Sequence, residues 1–313
     1  MNFIQQAYKG HRDLWMFLLT TFLVAGIFIA NFIFYLVSDP SDLAAAMESM
    51  EKWGLPANVT LAINLIPFAF LLGLLFVLVK FVHQRSLLSL TTTRPKVDFK
   101  RIIFSFLLIT IYTVVSFFVM YYIDSSEIVF QFKPVKFAIL FIISIILFPF
   151  QIGLEEYLFR GYLMQHIGVM VKNKWFPLLF TSILFGLAHS ANPEVGAIGF
   201  WQMMIFYVGT GLLLGIMTLM DEGLELALGF HLGNNLIASL LVTADWTALQ
   251  TDALFKDMSE PELGSVFEII LPVLVVYPLF LLILSKKYGW KNWKDKLLGK
   301  VTKPPKEDYK IIE

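Results

Sequence analysis

The residues of this chain that could do chemistry lie in three short strings. The first, Gly153-Leu154-Glu155-Glu156-Tyr157-Leu158-Phe159-Arg160-Gly161, puts two carboxylates and a guanidinium into an apolar stretch. On a helix Glu156 and Arg160 are i,i+4 neighbours in the favoured acid-before-base order and can pair, while Glu155 points about 100° away. One carboxylate can then be neutralised structurally while the other faces a cavity. The second string, Phe185-Gly186-Leu187-Ala188-His189, sets an aromatic ring and an imidazole one turn apart. The third, His231-Leu232-Gly233-Asn234-Asn235, sets His231 and Asn235 one turn apart in an otherwise apolar helix. Ionisable side chains in hydrocarbon cost several kcal/mol, about 3 on insertion scales, so they usually face a partner, a bundle interior or a water-filled cavity.

These side chains permit hydrolysis by an activated water. Burial raises the proton affinity of a carboxyl group, which lets it take a proton from water near neutral pH. An imidazole can orient that water or return the proton to a leaving amine. An amide or imidazole N–H can donate to the oxyanion of a tetrahedral intermediate. Equally, Glu155, His189 and His231 are candidate ligands of a divalent metal such as zinc with an open position. The residue types fit both a metal cofactor and none. A competing reading of the first string is that two acids and an arginine mark the end of a membrane span. What is missing narrows the choice. The chain has no cysteine, no His-Glu-x-x-His helix and no Gly-x-Ser-x-Gly elbow, which disfavours thiol, zinc-helix and serine-hydrolase designs.

The elements that must position these residues are membrane spans. Of the 313 residues 58% are hydrophobic and 31 are Phe, whereas 15% are charged, which places the chain outside the usual range of soluble domains. Lys plus Arg equals Asp plus Glu at 24 each, so charge gives no sign of nucleic acid as a partner. About 20 apolar residues cross the hydrocarbon core. Eight segments approach that length: 14–37, 60–82, 102–123, 136–154, 176–190, 199–219, 224–243 and 266–285. The expected fold is therefore all-α, a polytopic transmembrane bundle of about eight helices. The first segment is too long for a signal-peptide core and reads as a retained span.

Loop charge orients the bundle. Segment 83–101 holds Arg85, Arg94, Lys96, Lys100 and Arg101, and nine lysines follow residue 285. Segment 38–59 carries one lysine against Asp39, Asp42, Glu48 and Glu51, and segment 244–265 carries Lys256 against Asp245, Asp252, Asp257, Glu260 and Glu262. The positive-inside rule then puts both termini in the cytoplasm. Trp15, Trp175, Trp201, Trp290 and Trp293 read as an aromatic belt. The basic stretch from Arg85 to Lys100 reads as a surface linker meeting anionic lipid, and the tail around Lys303 to Lys306 reads as solvated.

In order and spacing the three strings resemble the signature motifs of the CPBP family, the CAAX-prenyl-protease-like intramembrane proteases typified by the Ras-converting enzyme. Glu155-Glu156-Tyr157-Leu158-Phe159-Arg160 matches Glu-Glu-x-x-x-Arg, Phe185 to His189 matches Phe-x-x-x-His, and His231 to Asn235 matches His-x-x-x-Asn. The resemblance implies an intramembrane endopeptidase acting on membrane-associated peptides or proteins, prenylated ones among them. Glu155 would be the base activating water and His189 would adjust that water. Glu156 and Arg160 would support the site, and His231 with Asn235 would stabilise the oxyanion. The family has been described both as metalloproteases and as metal-independent glutamate proteases. It implies a catalytic core over 135–243, preceded by three spans and a linker over 1–134 and followed by a last span and basic tail over 244–313, in a bacterial cytoplasmic membrane. Two other functions use the same residues: a non-catalytic immunity or partner-binding membrane protein, and a proton-coupled transporter. One constraint is sharp. His189 lies 14 residues beyond Trp175, roughly 21 Å along a helix, so Glu155 shares its depth only if the fourth helix continues past Arg160 toward Lys172. Pro149 is the expected origin of any kink.

Overall fold

The computed structural model describes residues 1–38, 54–261 and 266–309. The acids expected to mark the first outer loop, Asp39 to Glu51, and Glu262 of the last one lie outside the described residues. Helix α1 (Leu14–Val37) is followed by α2 (Ala57–Val77, extended by a wider turn over Leu78–Val82), a short α3 (Leu87–Thr91) and α4 (Phe99–Ile123). Asp98 caps α4 by accepting the Lys100 N–H at 3.0 Å.

Helix α5 runs unbroken over Pro134–Val171, with Pro134 at its first turn, where a missing N–H costs nothing. It is about 57 Å long. Its departure from regular α geometry is a wide π-type turn at Tyr157–Leu163, directly after the paired glutamates and away from Pro149. Lys172, at a left-handed φ of 59°, ends the helix, and Asn173 accepts the Phe176 N–H at 2.9 Å to start α6 (Trp175–Leu187). A one-turn α7 (Pro193–Ile198), α8 (Phe200–Asp221) and α9 (Glu225–Leu241) follow. The last apolar stretch, α10, joins Val266–Leu271, a wide turn Pro272–Val276 and Tyr277–Tyr288, before α11 (Trp293–Leu298).

Among the described residues, six helices are long and apolar enough to cross a membrane: Leu14–Val37, Ala57–Val82, Phe99–Ile123, Pro134–Val171, Phe200–Asp221 and Ile269–Tyr288. Large apolar side chains cover their outer faces, among them Phe22, Phe70, Ile111 and Ile142, a surface that suits lipid and not water. The fifth and seventh expected spans are shorter, 13 and 17 residues. Both pack against protein: α6 against α8, and α9 against α4 and α5. On its outer face α6 leaves Trp175, Leu179 and Ile183 exposed, whereas α9 exposes no large apolar side chain.

Two expectations are corrected. The fold is not purely helical, because Ile128–Phe130, Val242–Ala244 and Phe255–Asp257 form a small sheet in the order β1-β3-β2. Strand β3 pairs antiparallel with β1 (Phe130 opposite Phe255) and parallel with β2 (Val242 opposite Phe255). Three-residue strands are too short to leave a period in the sequence. The basic linker does not lie free for lipid: Arg85 is buried on Ser89 and Gln165. Arg94 reaches Asp221 at 2.7 Å and Glu225 at 3.1 Å, and Arg101 reaches Asp221 at 2.5 Å. Just before the tail, the Val301 N–H donates to the Lys172 carbonyl and Val301 is buried beside Phe3, Ile4 and Leu219, while Lys303 and Lys306 are exposed.

Two glycine pairs spaced by four let helices touch backbone to backbone. Gly211 and Gly215 of α8 sit on Ser182 and Leu178 of α6, and Gly229 and Gly233 of α9 sit on the Ile102 and Phe106 carbonyls of α4. A methyl group at Gly229 would collide with the Ile102 oxygen. Gly229→Leu should therefore push α9 off α4 and cost about 3 kcal/mol or more, read as a lower unfolding midpoint in thermal denaturation of the purified membrane protein. Gly73→Leu, at a site with open space, should leave the midpoint unchanged.

Candidate active site

The site forms where α5, α6, α8 and α9 meet, and the long α5 makes it possible. Glu155 precedes the Lys172 turn by 17 residues and His189 follows it by 17, so both stand about 25 Å from that turn along their helices. The depth constraint raised by the sequence is met by continuation of the fourth helix.

Glu156 and Arg160 are both fully buried. Arg160 Nη1 donates to Glu156 Oε1 at 2.8 Å and Nη2 donates to the Gly211 carbonyl at 3.2 Å. The same Glu156 oxygen lies 2.8 Å from His231 Nδ1. With Nδ1 carrying its proton toward that carboxylate, His231 turns Nε2 toward Glu155 Oε2, 3.5 Å away. Glu155 is buried as well. Its Oε1 accepts from Gln151 Nε2, one turn earlier on the same helix, whereas Oε2 has no hydrogen-bond partner among the described residues. Asn235 Nδ2 donates to Gln151 Oε1 at 3.0 Å. The amide hydrogen left over on Asn235 remains a donor.

Phe185 is the hub of the apolar wall. Its ring takes the Arg160 guanidinium on its face at 4.3 Å and touches His189 at 4.7 Å and His231 at 5.9 Å between centroids. His189, half-buried, gives its Nδ1 to the Phe185 carbonyl at 2.7 Å, which leaves Nε2 as the free ring nitrogen.

The structure thus brings Glu155, Glu156, Arg160, Phe185, His231 and Asn235 into one connected group and sets His189 against it through Phe185. Among the described residues no three His, Asp or Glu side chains converge closely enough to hold a metal ion. Glu155, His189 and His231, the metal-ligand candidates of the sequence, do not form such a set. Gln151 was missed because it is uncharged, although its i,i+4 spacing to Glu155 was visible.

Residues 134–237 match the family model described as type II CAAX prenyl endopeptidase, Rce1-like. The chain carries a domain of this family. The matched stretch contains all seven motif residues, so the Rce1-like domain and the polar cluster coincide. Over 254 residues the chain is 26% identical to the Bacillus subtilis (strain 168) protein YyaK, described as uncharacterized, covering 78% of this chain and 83% of that one. No solved structure matches.

Within the Rce1-like domain, Gln151 links Asn235 on α9 to Glu155 on α5. Gln151→Leu would leave Glu155 Oε1 and Asn235 Nδ2 without their partner and should cost about 2 kcal/mol. Denaturant unfolding of the purified protein measures it, and a stability equal to wild type would show that the link is not made.

Proposed function

We propose that this chain is an intramembrane endopeptidase that hydrolyses peptide bonds of membrane-associated or lipidated substrates with a water activated by Glu155. One observation carries the reading: the buried Glu155 carboxylate has one oxygen fixed by Gln151 and the other unpartnered, 3.5 Å from a carboxylate-backed imidazole. Family membership of residues 134–237 supports the reaction class.

In this scheme Glu155 Oε2 takes a proton from water and the oxygen of that water attacks the carbonyl carbon. The spare amide hydrogen of Asn235 and the His231 ring held by Glu156 face the developing oxyanion. The C–N bond then breaks, and the proton held by Glu155 passes to the leaving amine. His189 Nε2 adjusts the attacking water. Arg160 touches no reacting atom; it holds the Glu156 carboxylate that orients the His231 ring. No step is routed through a metal, because the donor set does not converge on one. Eight membrane segments, the six long helices with α6 and α9 inserted between them, with both termini cytoplasmic, complete the proposal.

The test is cleavage of a membrane-peptide and prenyl-peptide library by purified protein in lipid. Glu155→Gln should lower turnover at least about hundredfold, and activity should survive complete metal removal by chelator. Equal turnover by wild type and Glu155→Gln overturns Glu155 as the base, and loss of activity on metal removal overturns the metal-free scheme.

A further inference from the structure

Beside the Rce1-like motifs lies a second polar chain that they do not include. His189 is held on two faces: Phe185 on one, and on the other Tyr207 of α8, whose ring stacks on the imidazole at 4.5 Å between centroids and 25° between planes. Tyr207 is buried, and its hydroxyl donates to Glu194 Oε1 at 2.5 Å while accepting from Asn192 Nδ2 at 3.0 Å. Glu194, on the one-turn helix just after the histidine, is itself fixed, because its Oε2 accepts the Ala248 N–H at 2.9 Å from the loop beyond β2. The carboxylate therefore cannot follow the tyrosine, and the tyrosine cannot rotate away from the imidazole without giving up a hydrogen bond to a charged acceptor.

We propose that Tyr207, anchored by Glu194, is the positioning residue of His189. Phe185 and Tyr207 fix the plane of the ring and the Phe185 carbonyl fixes its tautomer, so that Nε2 is presented as the free nitrogen at a set angle. A stacking face alone leaves the ring free to slide in its plane. The Tyr207–Glu194 bond removes that freedom by locking the face in place, and the Ala248 contact ties the lock to the loop that covers this end of the bundle. Neither residue touches the reacting atoms.

This inference rests on the protease reading, and its test has one arm that does not. In the first arm, turnover and KM are measured across pH on a peptide cleaved by the wild type. Tyr207→Leu, which removes both the stack and the hydroxyl, should lower kcat about 10- to 100-fold with KM little changed and should move the limb of the pH profile that His189→Gln abolishes. Tyr207→Phe should fall between it and wild type. Glu194→Gln, whose amide oxygen still accepts from the tyrosine, should recover most of what Glu194→Ala loses. In the second arm, nitrogen NMR of imidazole-labelled full-length protein, with the His189 signal assigned by its absence in His189→Gln, should show a single Nδ1–H tautomer in wild type and tautomer averaging in Tyr207→Leu. Unchanged His189 signals in Tyr207→Leu overturn the proposal whether or not turnover falls. If the wild type cleaves no peptide, the protease reading fails and the NMR arm alone decides the positioning role.

Discussion

Two adjacent carboxylates cannot be carried into the interior of a helix bundle without a compensating charge, and Arg160 is that charge. Burying an ion costs several kcal/mol after relaxation, and the fully buried guanidinium meets Glu156 at 2.8 Å one helical turn away. The remaining arrangement follows from this pair. Once Glu156 is neutralised it can hold His231 by Nδ1, which points the other nitrogen at Glu155. Glu155, displaced by one residue and therefore by about 100° around the helix, is left outside the pair. Identical side chains thus receive different surroundings from a one-residue offset.

The pair in turn depends on packing that brings four helices close together. The Gly211 carbonyl accepts from Arg160 at a place where a side chain on α8 could not fit against Ser182. Gly229 and Gly233 flank His231 and set α9 directly on the α4 backbone. The wide turn at Tyr157–Leu163 begins just after Glu156, where a local change in winding re-aims side chains without ending the helix. Small residues and one irregular turn therefore let a polar cluster sit inside an apolar bundle with most of its atoms paired.

Much of this was legible in the sequence, and for a physical reason: ionisable residues are so costly in apolar spans that their positions stand out. Glu155, Glu156, Arg160, His189 and His231 could be named on that ground, and the need for the fourth helix to run on toward Lys172 followed from the rise per residue. Uncharged or locally ordinary partners were harder to see. Gln151 carries no charge, Tyr207 looks like one more aromatic in a span, and Glu194 lies in a connecting segment whose place beside His189 depends on the chain reversal at Asn192 and Pro193. The linker reads as a surface segment meeting lipid because the partners of Arg94, Asp221 and Glu225, are distant in sequence and come together at the α8–α9 turn only in the fold.

The central claim is that Glu156 serves the structure and Glu155 serves the chemistry. It is tested most directly by thermal unfolding of Glu155→Gln and Glu156→Gln side by side in the same lipid. Glu156→Gln strands a buried guanidinium and should lose about 3 kcal/mol or more, whereas Glu155→Gln, freed of a buried carboxylate that has no cation of its own, should unfold no earlier than wild type. Equal destabilisation by the two substitutions, or the reverse order, would contradict the division of labour.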